Sequence, residues 1–479
     1  MTVWNDLPAE LRLVVYKHLD NVSFRKLRVE DVRHYHHMAA YAAVSREWQE
    51  FFEERTFKSL VLRQRDLPEL ERILNRSRRR WLCTLWLRVE LPRYTCDSCS
   101  SEESDEEADT NSAVFTAAVW KLFTVLNGWQ SRGQEPLTRP GFDLRLSVYS
   151  PSDREHHFRH HRFDDDFSAL CLWPRINHLD HSHGWYHGTQ LELSLGAKLR
   201  ILGKPLKLDL SQVSTDLSPH LPPLNFITCF TMPRQFYRRI ADVDSILQSL
   251  PNLRRFYLEQ WRQVTIADEN ERLLHLRRVI EALPPTLRLF SAFQDANNTL
   301  LWSAPNSNLP ESDAPSARIL RKASQKCTVI NAYFLIDARC FFFTFEPGSP
   351  GSAQEAWPNL KKLTMTSDLL SSKAYGDRSD RMLEAASRAA LRMPKLRMLQ
   401  LWFIGGKEVC IFRYRKTKGR PLIEWLRTKS ARRGPSQGVV QAWQMVADTS
   451  LQGPIRVQKT EIPTNWITKS RGSVVYHYL

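Results

Sequence analysis

WNDLPAELRLVVYKHLDN (residues 4–21) and YAAVSREWQEFFEERTFKSLVL (residues 41–62) decide how the rest of the chain is read. In the first, Asn5 and Asp6 are helix-capping residue types. Pro8 is tolerated in a first turn, where its missing amide proton has no partner to lose. Leu11, Val14, Val15 and Leu19 follow at helical spacing, so one face is apolar. In the second stretch Val44, Trp48, Phe51 and Phe52 share a side, while Ser45, Arg46, Glu47 and Glu50 stay on the other. Together they predict a helical module over residues 1–62. The segment between them, about Val22 to Ala40, is charged in its middle and carries His34, His36 and His37.

The chain has 479 residues, room for two or three domains or for one elongated repeat array. A hydrophobic share of 42% is ample for a core, so the protein is globular. Eight cysteines are scattered singly, apart from Cys96 and Cys99, which suits a reducing cytoplasm or nucleus better than a disulfide framework. The start, MTVWNDLPAELR, lacks the basic and apolar regions of a signal peptide. The most apolar segment, NAYFLIDARCFFFTF (331–345), is broken by Asp337 and Arg339 and too short to span a bilayer. It reads as buried strands, and no membrane partner is expected.

After residue 62, short apolar strands recur, each followed by a polar or helical return. They are FKSLVL (57–62), LCTLWLRV (82–89), FDLRLSVY (142–149), LKLDL (206–210), LPNLRRFYL (250–258), PPTLRLFSAF (284–293), WPNLKKLTM (357–365) and MPKLRMLQLWF (393–403). Several share one form: Pro-x-Leu, two or three polar residues, then an alternating apolar strand. Helices are predicted between them at Leu67–Asn75, Ala113–Asn127, Glu269–Ala282 and Arg378–Arg392. A strand-plus-helix unit that cannot bury its own apolar face does so on a neighbour, the logic of leucine-rich solenoids. The spacing is irregular and the asparagine or cysteine of the strict repeat is absent. An unrelated α/β domain, in which Pro-Asn-Leu-x-x-Leu merely marks a helix end entering a strand, is the alternative. Either way the expected fold class is α+β, with a repeat-like region over 63–300 and a C-terminal α/β region over 316–479.

CDSCSSEESDEEADTN (96–111) is poor in apolar residues and dense in charge, so it is expected to be a disordered loop whose deletion leaves thermal stability nearly unchanged. Ser303–Ala314 and Gly348–Glu355 are predicted loops as well. Cys96-x-x-Cys99 has the spacing of half a zinc site, but no second pair follows, and it reads as an incidental loop pair. Histidines at 156, 157, 160 and 161, and again at 178, 181, 183 and 187, sit among Arg159, Arg162 and Asp164–Asp166 and read as polar loop. No metal and no cofactor is expected. Phosphate loops, dinucleotide fingerprints, nucleophile elbows and kinase signatures are missing, so no catalytic residue is assigned. Gly405-Gly406 between two strands predicts a hairpin turn.

Charge is the remaining signal. The formal net charge is +16, and the acids of residues 102–109 hide part of the surplus. So basic a chain attracts polyanions. Arg76–Arg80 reads as a solvated helix end. RYRKTKGRPLIEWLRTKSARR (413–433) sets nine basic residues against Glu424, with Tyr414 and Trp425 interleaved. Arg413, Arg415, Lys416, Lys418, Arg432 and Arg433 are therefore the candidate surface for an acidic or phosphorylated partner; a nuclear-import signal, a nucleic-acid contact or a plain exposed strand end are the alternatives.

Leu7-Pro8-Ala9-Glu10-Leu11 and Val44-Ser45-Arg46-Glu47-Trp48 resemble the F-box, the helical hairpin that docks on a Skp-family adaptor of cullin–RING ubiquitin ligases. The second element resembles the family's V-C-K/R-x-W, with serine in place of cysteine. The connection between them is longer than usual. From about residue 316 the chain also resembles the C-terminal region of uncharacterised fungal F-box-like proteins, through WPNLKKLTMTSDLL, MLEAASRAALRMPKLRMLQLW and EVCIFRYRK. The resemblance implies a non-catalytic substrate receptor whose partners are the Skp-family adaptor, its cullin complex and an unknown protein substrate. It places Leu7, Pro8, Leu11, Val15, Val44 and Trp48 on the adaptor-docking face. A basic scaffold or nucleic-acid-associated protein is the reading that competes with it.

Overall fold

The period of the buried residues switches repeatedly between strand and helix after residue 58, and the structure follows it. The computed structural model describes residues 4–25, 33–131, 141–158, 179–180, 183–186, 189–190, 193–213, 220–233, 238–261, 266–295, 314–349, 355–405, 408–416, 420–428, 434–449 and 453–463. The chain forms two compact units, 1–107 with 133–203 and 108–132 with 204–479. Its class is mixed α/β with a large mixed sheet, which bears out the α+β expectation.

In the first unit α1 (Ala9–Arg25), α2 (Arg33–Ala42) and α3 (Arg46–Lys58) precede β1 (Ser59–Leu62), α4 (Leu67–Ile73), the single turn α5 (Arg76–Arg79) and β2 (Thr84–Glu90). After α6 (Asp105–Ser131), which crosses into the second unit, β3 (Phe142–Tyr149) returns and pairs parallel with β2, as β2 does with β1. FDLRLSVY is thus a strand over its full predicted length. Three two-residue strands, β4 (Leu179–Asp180), β5 (Trp185–Tyr186) and β6 (Thr189–Gln190), form a small antiparallel sheet, and α7 (Leu195–Leu202) follows. Of the Arg76–Arg80 run, Arg76 and Arg80 are exposed as a solvated helix end predicts, whereas Arg78 and Arg79 are drawn inward. Asn75 caps α5 through its side chain, Arg78 ion-pairs with Glu53, and Arg79 Nε donates to the Leu74 carbonyl at 2.7 Å.

Residues 96–111 are ordered, against expectation. Cys96–Ser98 is one turn of 3-10 helix, and Ser104 opens α6. The Glu107 amide donates to Ser104 Oγ at 3.1 Å, and the Ser104 amide donates to Glu107 Oε2 at 2.8 Å, a reciprocal capping box. Asp105, Glu106 and Glu107 occupy the first turn, where unpaired N–H groups favour negative charge. Arg200 of α7, buried, donates to the carbonyls of Ser101 and Glu102 and grips Glu107 through both terminal nitrogens, at 3.0 and 3.1 Å. That bond holds the Glu107 carboxyl below the usual carboxylate range. The density of charge marks a helix start and a buried arginine's partner, not a solvated loop.

The second unit runs β7 (Ile227–Met232), α8 (Val243–Gln248), β8 (Arg255–Trp261), α9 (Ile266–Glu281), β9 (Leu289–Asp295), α10 (Ala314–Ser324), β10 (Val329–Asp337), α11 (Ala338–Phe342), β11 (Lys362–Thr366), α12 (Asp377–Ala390), β12 (Met398–Gly405), β13 (Glu408–Arg415), β14 (Leu422–Arg427), α13 (Gln437–Asp448) and β15 (Arg456–Glu461). From β7 to β12 the strands are parallel and adjacent in chain order. β12, β13 and β14 are antiparallel, and β15 runs parallel to β14. Gly405 pairs with Glu408 at the expected hairpin, while Gly406 lies outside the described residues. Each helix packs on the next, from α8 through α13.

The shared Pro-x-Leu form has a physical basis. Leu253, Leu287, Leu360 and Leu396 are all buried, and each donates its amide to the carbonyl three residues back (Leu250, Pro284, Trp357, Met393). The next amides, at Arg254, Arg288, Lys361 and Arg397, donate to carbonyls of the preceding unit, at Thr228, Arg254, Thr328 and Lys361. One turn is used four times to hand the chain from a helix to the neighbouring strand. The register then stacks Phe230, Phe256 and Phe290 in one row, with ring centroids 5.6 and 5.9 Å apart.

Two predicted strands fail. LKLDL forms only a single bridge, Leu206 with Ile240, because Thr116 and Asp242 side chains take its backbone amides. The segment 331–345 is strand only to Asp337. There Asp337, buried, accepts from the Arg339 amide at 2.7 Å and starts α11, which places Phe341 and Phe342 on a helix. Just before it, the β10–β11 register shifts and Phe334 adopts φ 54°, a left-handed conformation that is strained for a bulky residue. The twist turns its ring onto Phe293 and Trp402, at 5.6 and 5.1 Å.

Candidate functional site

The N-terminal module closes on aromatic rings, not on the aliphatic stripe that announced it. Trp4, on a 3-10 turn before α1, lies 5.5 Å from Tyr16 and 5.1 Å from Trp48. Tyr16 and Phe52 are buried; Phe51 and Tyr41 complete the cluster at 4.7 Å from Tyr16 and 5.1 Å from Phe52 respectively. Arg12–Glu47 (3.0 Å) and Arg55–Asp20 (2.7 Å) tie α1 to α3, and Ser45 caps α3 by accepting from the Trp48 amide. This leaves the aliphatic side uncovered. Leu11 is 52% exposed, Val14 60% and Val44 61%, with Leu13 and Val15 also open. Pro8 is exposed and Leu7 half-buried beside them. Trp48 is half-buried within the ring cluster, so it braces the module. The long connection contains α2, and residues 26–32 lie outside the described ones.

Of the basic stretch, Arg413 and Arg415 lie on β13 and converge on Glu424 of β14, at 3.3 and 2.8 Å. Burial holds the Arg413 guanidinium below its ordinary range, and Arg413 also donates to Gln400 Oε1 at 2.5 Å. Burial lowers the half-buried Lys416 as well. Lys418, Arg432 and Arg433 fall outside the described residues. Two guanidiniums sharing one carboxylate makes Glu424 a structural residue. Glu424→Gln is expected to destabilise the protein by about 2–3 kcal/mol, because the buried Arg413 guanidinium then loses the carboxylate it shares with Arg415. Chemical denaturation at pH 7 reads this directly, and a loss under about 0.5 kcal/mol would assign the cluster to the solvated surface.

In the first unit, residues read separately in the sequence come together. Cys96 and Cys99 sit on the 3-10 turn after β2, His156 follows a second such turn (Pro151–Arg154) after β3, and His183 precedes β5. Their donor atoms all lie within 4.8 Å of one another. Cys96 Sγ is 3.3 Å and His156 Nδ1 3.2 Å from His183 Nε2. Cys99 and His183 are buried, His156 is half-buried and Cys96 is exposed. Buried His157 backs the group, with Nδ1 3.2 Å from the His183 carbonyl and Nε2 3.0 Å from Ser100 Oγ and 3.6 Å from Cys99 Sγ. Sequence reasoning had the half-site and both histidine runs in view, but nothing in their spacing joins residues so far apart.

Residues 282–479 match the model of a family of unknown function, DUF6546, a stretch that begins just before β9 and includes β15. No curated protein matches. No solved structure matches either. No helix among the described residues is long and apolar enough to cross a membrane.

Proposed function

We propose that this chain is a non-catalytic substrate-recognition subunit of a Skp–cullin–F-box ubiquitin ligase. On this reading α1–α3 form an F-box-like module that docks the adaptor, and the strand-and-helix succession from β7 onward is an irregular leucine-rich-repeat-like array that presents the substrate. Ubiquitin transfer belongs to other subunits. The observation that carries the reading is the open aliphatic stripe of a module already closed by its own rings: Leu11, Val14 and Val15, at helical spacing on α1 after Leu7-Pro8, stay in solvent, and Val44 before α3 is exposed as well. Exposed apolar side chains at helical spacing mark an interaction site, and Leu11 and Val44 belong to the two elements in which the sequence resembles the F-box. The four-times-used turn in the second unit supports the array, since stacked units bury what none could bury alone.

The test is adaptor retention. Leu11→Asp combined with Val15→Asp is expected to weaken binding of a purified Skp-family adaptor at least tenfold, because buried anchors of such interfaces carry about 2 kcal/mol each and ~1.4 kcal/mol is a factor of ten. Both side chains are exposed, so the melting temperature should stay within about two degrees of the parent. Trp48→Ala, in contrast, should lower it, because the ring contacts Trp4, Tyr16 and Phe52. A parent protein that never retains the adaptor at low salt, yet binds nucleic acid with a steep salt dependence, would replace this reading with the basic-scaffold one.

A further inference from the structure

We propose that Cys96, Cys99, His156 and His183 form a structural zinc site. Three segments supply the four groups: the Cys-x-x-Cys turn after β2, the chain leaving β3, and the turn between β4 and β5. Tetrahedral zinc, with bonds of about 2.3 Å to sulfur and about 2.0–2.1 Å to nitrogen, sets its ligands apart by about 3.3 Å (nitrogen to nitrogen) and about 3.5 Å (sulfur to nitrogen). The observed separations are 3.2 Å for His156 Nδ1 to His183 Nε2 and 3.3 Å for Cys96 Sγ to His183 Nε2. A single imidazole nitrogen facing both a thiol and a second imidazole is a convergence that one cation at their centre explains, whereas one N–H can be aimed well at only one of them.

The donor set chooses the metal class. Two thiolates and two imidazoles, with no carboxylate, favour zinc over magnesium or calcium. Four protein ligands also fill the tetrahedron and leave no position for water or substrate, so the site is structural and not catalytic. Binding turns both thiols into thiolates, and their two protons leave to solvent.

The surroundings are built for the ligands. His157 supports the site without being part of it: its Nδ1 faces the carbonyl of His183 and its Nε2 faces Ser100 Oγ and Cys99 Sγ, fixing the turn that carries one ligand and the sulfur of another. Tyr94 stacks on the His156 ring at 5.5 Å. Gly184, at φ 72°, lets the chain reverse immediately after His183. The local fold also needs a clasp. Strands of two residues, as in β4–β6, have too few hydrogen bonds to stand alone. A cross-link joining residues 87 apart in sequence supplies what they lack.

The full chain, expressed in zinc-supplemented medium and dialysed against a weak chelator, is expected to retain about one zinc ion per molecule by plasma mass spectrometry. Cys96→Ser with Cys99→Ser, and separately His183→Ala, should each cut the content at least fivefold. Because such variants can fail to fold, the parent protein is measured as well. Stripping its metal with a strong chelator should lower the melting temperature, zinc but not magnesium should restore it, and cobalt in place of zinc should give the absorption of a tetrahedral two-sulfur site. Cys96, exposed in the structure, should react quickly with a thiol reagent only in the stripped protein. A parent chain without stoichiometric zinc, a Cys96–Cys99 disulfide in the purified protein, or zinc content unchanged in the double variant each overturns the proposal.

Discussion

Arg200→Met is expected to lower the stability of the first unit by about 3 kcal/mol, the scale of breaking a buried ion pair from one side. The guanidinium is buried and has four acceptors in the segment 101–107: two carbonyls and both Glu107 oxygens. It also lies 4.9 Å from the Tyr94 ring. Methionine matches the stem of the side chain and supplies none of the donors, so the carbonyls of Ser101 and Glu102 lose their partner. Glu107 is 36% exposed and recovers some water, which keeps the loss toward the low end of the range for buried pairs. For a unit of this size the change corresponds to roughly 6–12 °C in melting temperature. Glu107→Gln is the milder companion. Its amide can still bond Ser104 and accept one Arg200 donor, and about 1 kcal/mol should be lost. Since Arg200 depresses the Glu107 pKa, the pair's contribution is present above the unfolded carboxylate range and is lost only as pH falls through the lower folded value. Equal melting curves for parent and Arg200→Met would show that residues 101–107 are not held in solution.

The same segment shows what sequence reading could and could not reach. Ser104-x-x-Glu107 before the apolar run from Ala113 is a capping-box signature, and it was legible. Weighing charge over sixteen residues concealed it, because a helix start concentrates acids for its own electrostatic reason. Strands such as 142–149 and the Pro-x-Leu turns were readable because a local pattern decides them: Leu253, Leu287, Leu360 and Leu396 must be buried whatever the neighbours are. LKLDL has a local pattern too, but Thr116 and Asp242 compete for its amides, and a contact between distant segments cannot be read from five residues. The Cys/His group is the extreme case. Each half of it looks incidental alone, and only the return of β3 and the turn before β5 bring the halves within 4.8 Å. On α1, the apolar stripe was read correctly as a stripe; that it faces solvent while Tyr16 holds the helix down is decided by Trp4 and Trp48.

A second large effect is expected from His275, on the buried side of α9. Among the described residues its ring nitrogens have no hydrogen-bond partner, and Arg239, Arg278 and Arg272 stand around it. Burial, reinforced by these three cations, pushes the imidazole pKa from 6.5 down to about 3. The acids nearby are already engaged: Glu271 with Arg239 at 2.9 Å, and Asp242 within 4.0 Å of Arg278. Arg272 donates to Gln294. A depressed folded pKa means that the unfolded chain takes up a proton below pH 6.5 that the folded chain refuses. Stability is therefore present above pH 6.5 and is lost as pH falls from there toward 3, with a limiting slope of about 1.4 kcal/mol per pH unit. Between pH 6.5 and 4.5 the single histidine accounts for about 2 kcal/mol. His275→Leu keeps the volume and removes the proton site, so it should flatten this limb while leaving stability at pH 7.5 within about 1 kcal/mol of the parent. The Glu107–Arg200 pair does not confuse the result, because its contribution fails only at lower pH. Denaturant titrations of both proteins at half-unit steps from pH 7.5 to 4.5 measure the difference in slope. Parallel curves would mean that His275 protonates freely in the folded protein, through water reaching the ring or through α9 opening, and the buried-neutral assignment would be wrong.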